Sequence, residues 1–297
     1  MRAREAIAGY LFVLVWLVHL AVFITYPVLA TFFFSFTSYN IVQPPTWIGL
    51  ENWLTMFTSD NNFWIAAGNT AYFAALAVPF GQIIALLLAL LLSVRVKGIG
   101  LYRTLYYLPS LAPPVAATLV FLLLFSPQQG LVNYVLEALG LPTPGWFTDP
   151  EWSKPALVLM HFWGMGSAAL IFVAGVKEVP QSLLEAAAID GAGPLRRLWH
   201  VTLPMLSPVI LFNLVIGIIY SFQVFTQAYV ISRTTGEPLD STLFFMIKMY
   251  RHAFNYFQMG YAAALAAVLF LSVLALTGLV FYSSRRWVYY EAAAQER

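Results

Sequence analysis

Six windows of this sequence contain no Asp, Glu, Lys or Arg: residues 6–50, 61–94, 104–136, 155–176, 198–232 and 252–284. Each exceeds the roughly 20 apolar residues that cross a bilayer core. No water enters that core, so every backbone N–H and C=O must find a partner within the protein, and a single chain segment meets this demand as a helix. The pattern predicts an all-α integral membrane protein with six transmembrane helices, near 8–34, 70–93, 105–125, 156–176, 206–231 and 260–282. Only 9% of the 297 residues are charged, against about 25% in a soluble domain. Such a chain cannot coat a water-facing surface.

Arg2 and Arg4 precede the first window, as in a signal peptide. A signal core is only about 7–15 residues long; this run is twice that, and no small-residue cleavage site follows. It reads as a retained helix that also directs insertion. Six spans put both termini on one side. That side collects Arg2, Arg4, Arg95, Lys97, Arg103, Lys177, Arg196, Arg197, Arg285, Arg286 and Arg297, against Lys154, Arg233, Lys248 and Arg251 on the other. Positive charge stays inside, so both termini are expected to be cytoplasmic.

The outer loops, near 37–69, 126–155 and 232–259, are too short to be domains. The third contains "TLFFMIKMYRHAF", which reads as an amphipathic helix on the outer surface. The whole chain is one transmembrane domain: a first helix and outer loop (1–64), a five-helix core (65–285) with a cytoplasmic loop at 177–205, and a tail (286–297).

Several chemistries are excluded. There is no cysteine, hence no disulfide or thiolate site. No GxxxxGK[ST] loop, HExxH or GxSxG occurs, so this chain is not expected to hydrolyse ATP or to be an enzyme. A net charge of +2 without a basic tail gives nucleic acid no handle. An ion-coupled secondary transporter, the runner-up class, needs ionisable groups in the membrane. The spans offer His19 and His161, and a lone histidine in a span is more often packed than a proton relay. No channel-type filter repeat is present.

Charge reappears in "EAAAIDGAGPLRRLWHVTLP", Glu185 to Pro204. Residues 181–190 are rich in good helix formers. Pro180 suits a first turn, Gly191 a left-handed stop, and Pro194 the opening of a second short helix through Leu195–Val201. Ala186, Ala187 and Ala188 make a thin face beside Glu185. Two readings remain open on these grounds: a plug for a groove on a cytoplasmic partner, or a hairpin that merely links two spans.

The spacing EAA, three residues, Gly191, nine residues, "VTLP" resembles the EAA loop of the membrane subunits of ATP-binding-cassette (ABC) importers. Val201 stands where Ile is usual. "FSFTSYN", "WIGLENW", "LYRTLYYLPSLAPPVAATLVFLLLF" and "SFQVFTQAYVIS" are similar to the sugar branch of that family, which includes maltose-type and glycerol-phosphate-type permeases. The resemblance implies the type I ABC importer fold in a prokaryotic cytoplasmic membrane. It implies coupling to a cytoplasmic ATPase through Glu185, Ala186, Ala187, Asp190, Gly191, Leu203 and Pro204, with Glu185 meeting a basic residue of the ATPase. The implied partners are membrane lipid, a second homologous permease subunit, an extracytoplasmic solute-binding protein and two ATPase subunits that hold ATP and Mg, with no cofactor in this chain. After "AYVIS" many relatives carry Gly-Gly-Gly-Pro and this chain has "RTTGEP", so contacts of that outer loop are not carried over.

A path without fixed charge suits a neutral sugar; a phosphorylated cargo would need a cation from the partner permease or the binding protein. In the fifth span Asn213, Gly217, Tyr220 and Ser221 share one helical face, and Gln223 and Gln227 follow a turn later. The fourth span offers Trp163, Gly164, Gly166 and Ser167. In similar permeases these stretches line the cavity, although Gly and Ser are also common helix-packing residues in membranes. Pro79, Pro109, Pro113 and Pro114 read as helix bends or ends.

Overall fold

The structure, a computed structural model, describes residues 2–94 and 96–289, with side chains from residue 9 onward. Arg95, Arg297 and most of the tail lie outside the described residues, as do the side chains of Arg2 and Arg4. The described chain is helical apart from loops and one two-residue antiparallel pairing, β1 (Thr37–Ser38) with β2 (Thr46–Trp47). Helix α1 runs from Arg2–His19 through a π turn, Leu20–Thr25, into Tyr26–Ser35. Then follow α2 (Glu51–Thr58), α3 (Asn61–Leu92), α4 (Ile99–Tyr107), α5 (Pro114–Leu124), α6 (Leu131–Ala138), α7 (Pro150–Trp163) and α8 (Gly166–Glu178). The remainder is α9 (Gln181–Ile189), α10 (Pro194–Arg197), α11 (Leu203–Phe222), α12 (Thr226–Ser232), α13 (Phe245–Tyr250) and α14 (Met259–Ser284).

Among the described residues four helical runs are long and apolar enough to cross a membrane: Gly9–Ser35, Asn61–Leu92, Pro194–Ser232 and Met259–Ser284. Two bent pairs, α4 with α5 and α7 with α8, bring the number to six if each is one span. The third predicted span is therefore not one rod. It bends by 96°, because Pro109 opens a 3-10 turn, Leu108–Leu111, and Pro113 and Pro114 start a new helix. The fourth bends by 46° between Trp163 and Gly166. The fifth is interrupted at residues 223–225, between α11 and α12. Pro79, by contrast, sits inside the uninterrupted α3.

The chain divides into two compact units. One comprises Trp64–Ile247 and the described residues from Ser272. Its core packs Phe73, Phe125, Trp146, Leu157, Phe244 and Ile247 together. The outer loop at 126–149 is fixed by Asn133, whose amide donates to the Pro127 and Pro144 carbonyls and whose oxygen accepts from the Trp146 indole at 2.7 Å. The expected surface helix at "TLFFMIKMYRHAF" is corrected here. Leu243, Phe244 and Ile247 are completely buried, and the regular helix is only six residues long. The stretch is pinned from α3: Asn69 donates to the carbonyls of Asp240 and Leu243, and the Phe245 N–H donates to the Thr70 hydroxyl. An amphipathic pattern identifies a two-sided segment without saying what covers its apolar side.

The other unit comprises the described residues up to Phe63 and Lys248–Leu271. Asn52 donates to the carbonyls of Ser35 and Thr37, holding the end of α1 to its turn. Gly260 approaches Thr37 so closely that any Cβ would strike its carbonyl oxygen. Asp60 pairs with the almost fully buried Lys248 at 2.6 Å and accepts the Tyr261 hydroxyl. Burial pushes the Asp60 carboxyl up, but its hydrogen bonds to Lys248 and Tyr261 outweigh that and hold it below the usual range. A depressed carboxyl stabilises the fold above its unfolded value of about 3.9 and loses that contribution as pH falls through the folded value. Asp60→Asn is therefore expected to cost about 3 kcal/mol, the scale for breaking a buried pair. In thermal unfolding of the detergent-solubilised protein, the gap between variant and parent should close as pH drops below about 4.

Candidate functional site

In the unit containing residues 64–247, three cavities of 440, 210 and 190 Å³ share one wall residue, His161. The 440 Å³ cavity is lined by Gly164 and Ser167 from the α7–α8 bend and by Asn213, Gly217 and Tyr220 from α11, together with Gln82 of α3. The 210 Å³ cavity adds Gln223 and Gln227 from the α11–α12 interruption. The 190 Å³ cavity adds Trp163 and again touches Gly164 and Gln227. The structure thus brings both predicted stretches together, five of the named residues around one space.

Two expected residues stand apart. Ser221 is buried and spends its hydroxyl on the Ile218 carbonyl; one residue beyond Tyr220, it is turned by about 100° and leaves the cavity face. Gly166 is a packing glycine: a Cβ there would meet the Tyr106 carbonyl oxygen and the Tyr107 Cα. Close backbone approach of α4 to the α7–α8 bend accounts for it. Gln82 and His161 line the main cavity without having been expected there. The available signal for Gln82 was an amide in the middle of a charge-free window.

No Lys, Arg, Asp or Glu lines any of the three cavities. Phe73 packs edge-on against the His161 ring. The walls offer amides, hydroxyls and aromatic faces, an inventory that binds hydroxylated neutral solutes and supplies neither a nucleophile–base pair nor a metal-binding set.

The second candidate element is the hairpin at 181–200, in which no residue of α9 or α10 is buried. Gly191 adopts φ +79°, and the Ala192 and Gly191 N–H groups donate back to the carbonyls of Ala187 and Ala188. This paired arrangement satisfies the last carbonyls of α9 and needs a left-handed residue at that position. Glu185, Ala186, Asp190 and Gly191 are exposed and Ala187 partly so; exposed Ile189, Leu195 and Trp199 add apolar surface. The predicted second helix does not stop at Val201. From Pro194–Arg197 it passes through a π turn, Leu198–Thr202, directly into α11. Leu203 and Pro204 therefore belong to the start of α11, where the Pro204 carbonyl accepts the Ser207 hydroxyl.

The family model described as "Binding-protein-dependent transport system inner membrane component" matches residues 77–289. The chain belongs to this family. It is 40% identical to the probable ABC transporter permease protein YesP of Bacillus subtilis, over 97% of this chain and 94% of that protein. It is 34% identical to the lactose transport system permease protein LacF of Rhizobium radiobacter, over 93% and 94% of the two chains. The structure superposes on a chain of a bacterial ABC transporter involved in alginate import with a TM-score of 0.82 and 25% identity, covering 96% of this chain and 99% of that one. The protein is thus an inner-membrane permease subunit of an ABC importer and not itself an enzyme. For this permease, Gly217→Leu is expected to fill much of the 440 Å³ cavity and to reduce uptake at least tenfold, while size-exclusion and membrane yield stay unchanged.

Proposed function

We propose that this permease carries a neutral sugar or oligosaccharide across the membrane as one half of a heterodimer with a second homologous permease. The observation that carries this reading is a chain of uncharged, amide- and hydroxyl-lined cavities at the interruptions of the spans. The functions of relatives support it, among them lactose transport and trehalose/maltose transport. The bent pairs each count as one span, which gives six, with both termini and the hairpin cytoplasmic. An extracytoplasmic binding protein delivers the sugar to the outer face. Two ATPase subunits, holding ATP and Mg, grip the hairpin and move with nucleotide.

Coupling requires that the ATPase contact the two permease conformations differently. The exposed thin face of α9 with Glu185 and the stiff turn at Gly191 suit that contact. Glu185→Lys reverses the one charge of the face. Gly191→Pro removes an N–H that donates to Ala188 and forbids the positive φ. Both variants are expected to insert and pair normally and to lose at least tenfold of sugar uptake, with ATPase activity no longer stimulated by loaded binding protein. Normal uptake by both, with the ATPase assembled, would sink the docking assignment. A preparation of this chain alone that moves sugar down an ion gradient in liposomes would replace the reading with a secondary transporter.

A further inference from the structure

Two soft points flank the start of α11. The π turn Leu198–Thr202 lies before it, and Pro208 follows inside the helix. Helices bend at such places. Pro208 has no N–H, so the Pro204 carbonyl lacks its ordinary helical donor four residues on. The Ser207 hydroxyl takes that role, donating to the Pro204 carbonyl at 2.6 Å. Ser207 is itself buried, and its oxygen accepts the backbone N–H of Tyr289 at 2.8 Å.

The turn that ends α14 delivers Tyr289 to this point. The N–H groups of Trp287 and Val288 donate to the Ser284 carbonyl, and that of Arg286 donates to the Ser283 carbonyl. The Trp287 indole donates to the Ser283 hydroxyl. On another side the start of α11 is braced by α8. A Cβ on Gly175 would come within 2.9 Å of Leu206 Cδ2 and Val209 Cγ2, the close approach that a small residue permits between membrane helices. Ser207 is turned by about 100° from Leu206, so α8 and the segment after α14 take different sides of α11. The hairpin leaves from α8 and returns into α11. Its base therefore has three legs: the end of α8, the start of α11 and the segment Ser283–Tyr289, all in one compact unit.

We propose that Ser207 is a positioning residue for coupling. Through the Tyr289 N–H it ties the stretch between the π turn and Pro208 to the end of the last span. The tie fixes the direction in which the hairpin projects and preorganises it for the ATPase. This inference rests on the ATPase-docking reading of the hairpin. A contact surface already held in its bound pose has less freedom to lose on binding. Helices α9 and α10 contain no buried residue that could hold that pose, so the base sets it.

The test titrates the transporter's own ATPase subunits onto the permease heterodimer in nanodiscs and needs no cargo. Tyr289→Pro removes the N–H donor, whereas Tyr289→Ala keeps it. Ser207→Ala removes the hydroxyl, whereas Ser207→Thr keeps one. Ser207→Ala and Tyr289→Pro are expected to weaken ATPase binding about tenfold, equivalent to about 1.4 kcal/mol, with Ser207→Thr and Tyr289→Ala within about twofold of the parent. An unchanged Kd in Ser207→Ala and Tyr289→Pro overturns the proposal, even if their melting temperatures fall, because the tie is then only structural. Equal weakening by Tyr289→Ala and Tyr289→Pro also overturns it, since the side chain and not the N–H is then what matters. So does a Ser207→Thr variant that binds as weakly as Ser207→Ala. In each of these cases the docking reading stands as long as Glu185→Lys weakens ATPase binding. If Glu185→Lys binds as the parent does, the docking reading and the proposal fall together.

Discussion

The rest of this structure depends on one constraint: a backbone in hydrocarbon must bond to itself. It forces helices through the charge-free windows, and it makes every interruption of a helix costly unless the freed groups face protein or water. Among the described residues the span helices break at three places, near Ala112, at Gly164–Met165 and at Gln223–Phe225. All three line the cavities that meet at His161. Breaks and cavities coincide because each needs the other. An irregular turn is tolerable where a polar cavity or a neighbouring helix can meet its N–H and C=O groups, and a cavity with polar walls is most readily built where a helix opens. Pro79, in a helix that stays continuous, shows that proline alone does not make such a site.

Two polar networks at helix ends hold the outer loops in place. Asp60, Lys248 and Tyr261 share one network, and Asn133, Trp146 and two carbonyls share another. Removing a member of such a network exposes the rest to the low dielectric, so these groups fix geometry.

How far this was legible in the sequence follows from the same physics. Charge-free windows report burial in lipid, so the first and last long helical runs lie within two residues of their expected bounds, whereas the second begins nine residues early, at Asn61, and the fifth extends back to Pro194. Gly191 announced a left-handed stop, and it is one. The breaks were less visible: three prolines flagged the α4–α5 bend, but nothing local to "WGMG" says that the chain bends there or that the backbone at Tyr106 packs against Gly166. The shared face of Asn213, Gly217 and Tyr220 is a matter of helical period. Ser221 was miscounted because adjacency in sequence is not adjacency on a helix. Gln82 and the burial of the segment at 242–247 depend on contacts across the fold, from α3 to α11 and from α3 to the outer loop, and no single window carries such information.

The connection between hairpin and cavity is the remaining link. From Pro194 to Phe222 the chain is helical without interruption, the π turn at Leu198–Thr202 included. Pro194 and Gly217 are then about 35 Å apart along one axis, at about 1.5 Å per residue. A short helix ending at Val201 would have required a flexible joint between the proposed ATPase contact and the cavity wall. A helical connection puts no loop between them, and its bends are confined to the π turn and to Pro208. In the proposed cycle, a displacement of the hairpin moves Asn213, Gly217 and Tyr220 as a body relative to Gln82 on α3. The shape of the cavity between α11 and α3 therefore changes with nucleotide state. A site split between a driven helix and a helix outside that run can hold cargo in one state and release it in the other with no charge in the membrane, which is what separates such a device from an ion-coupled carrier.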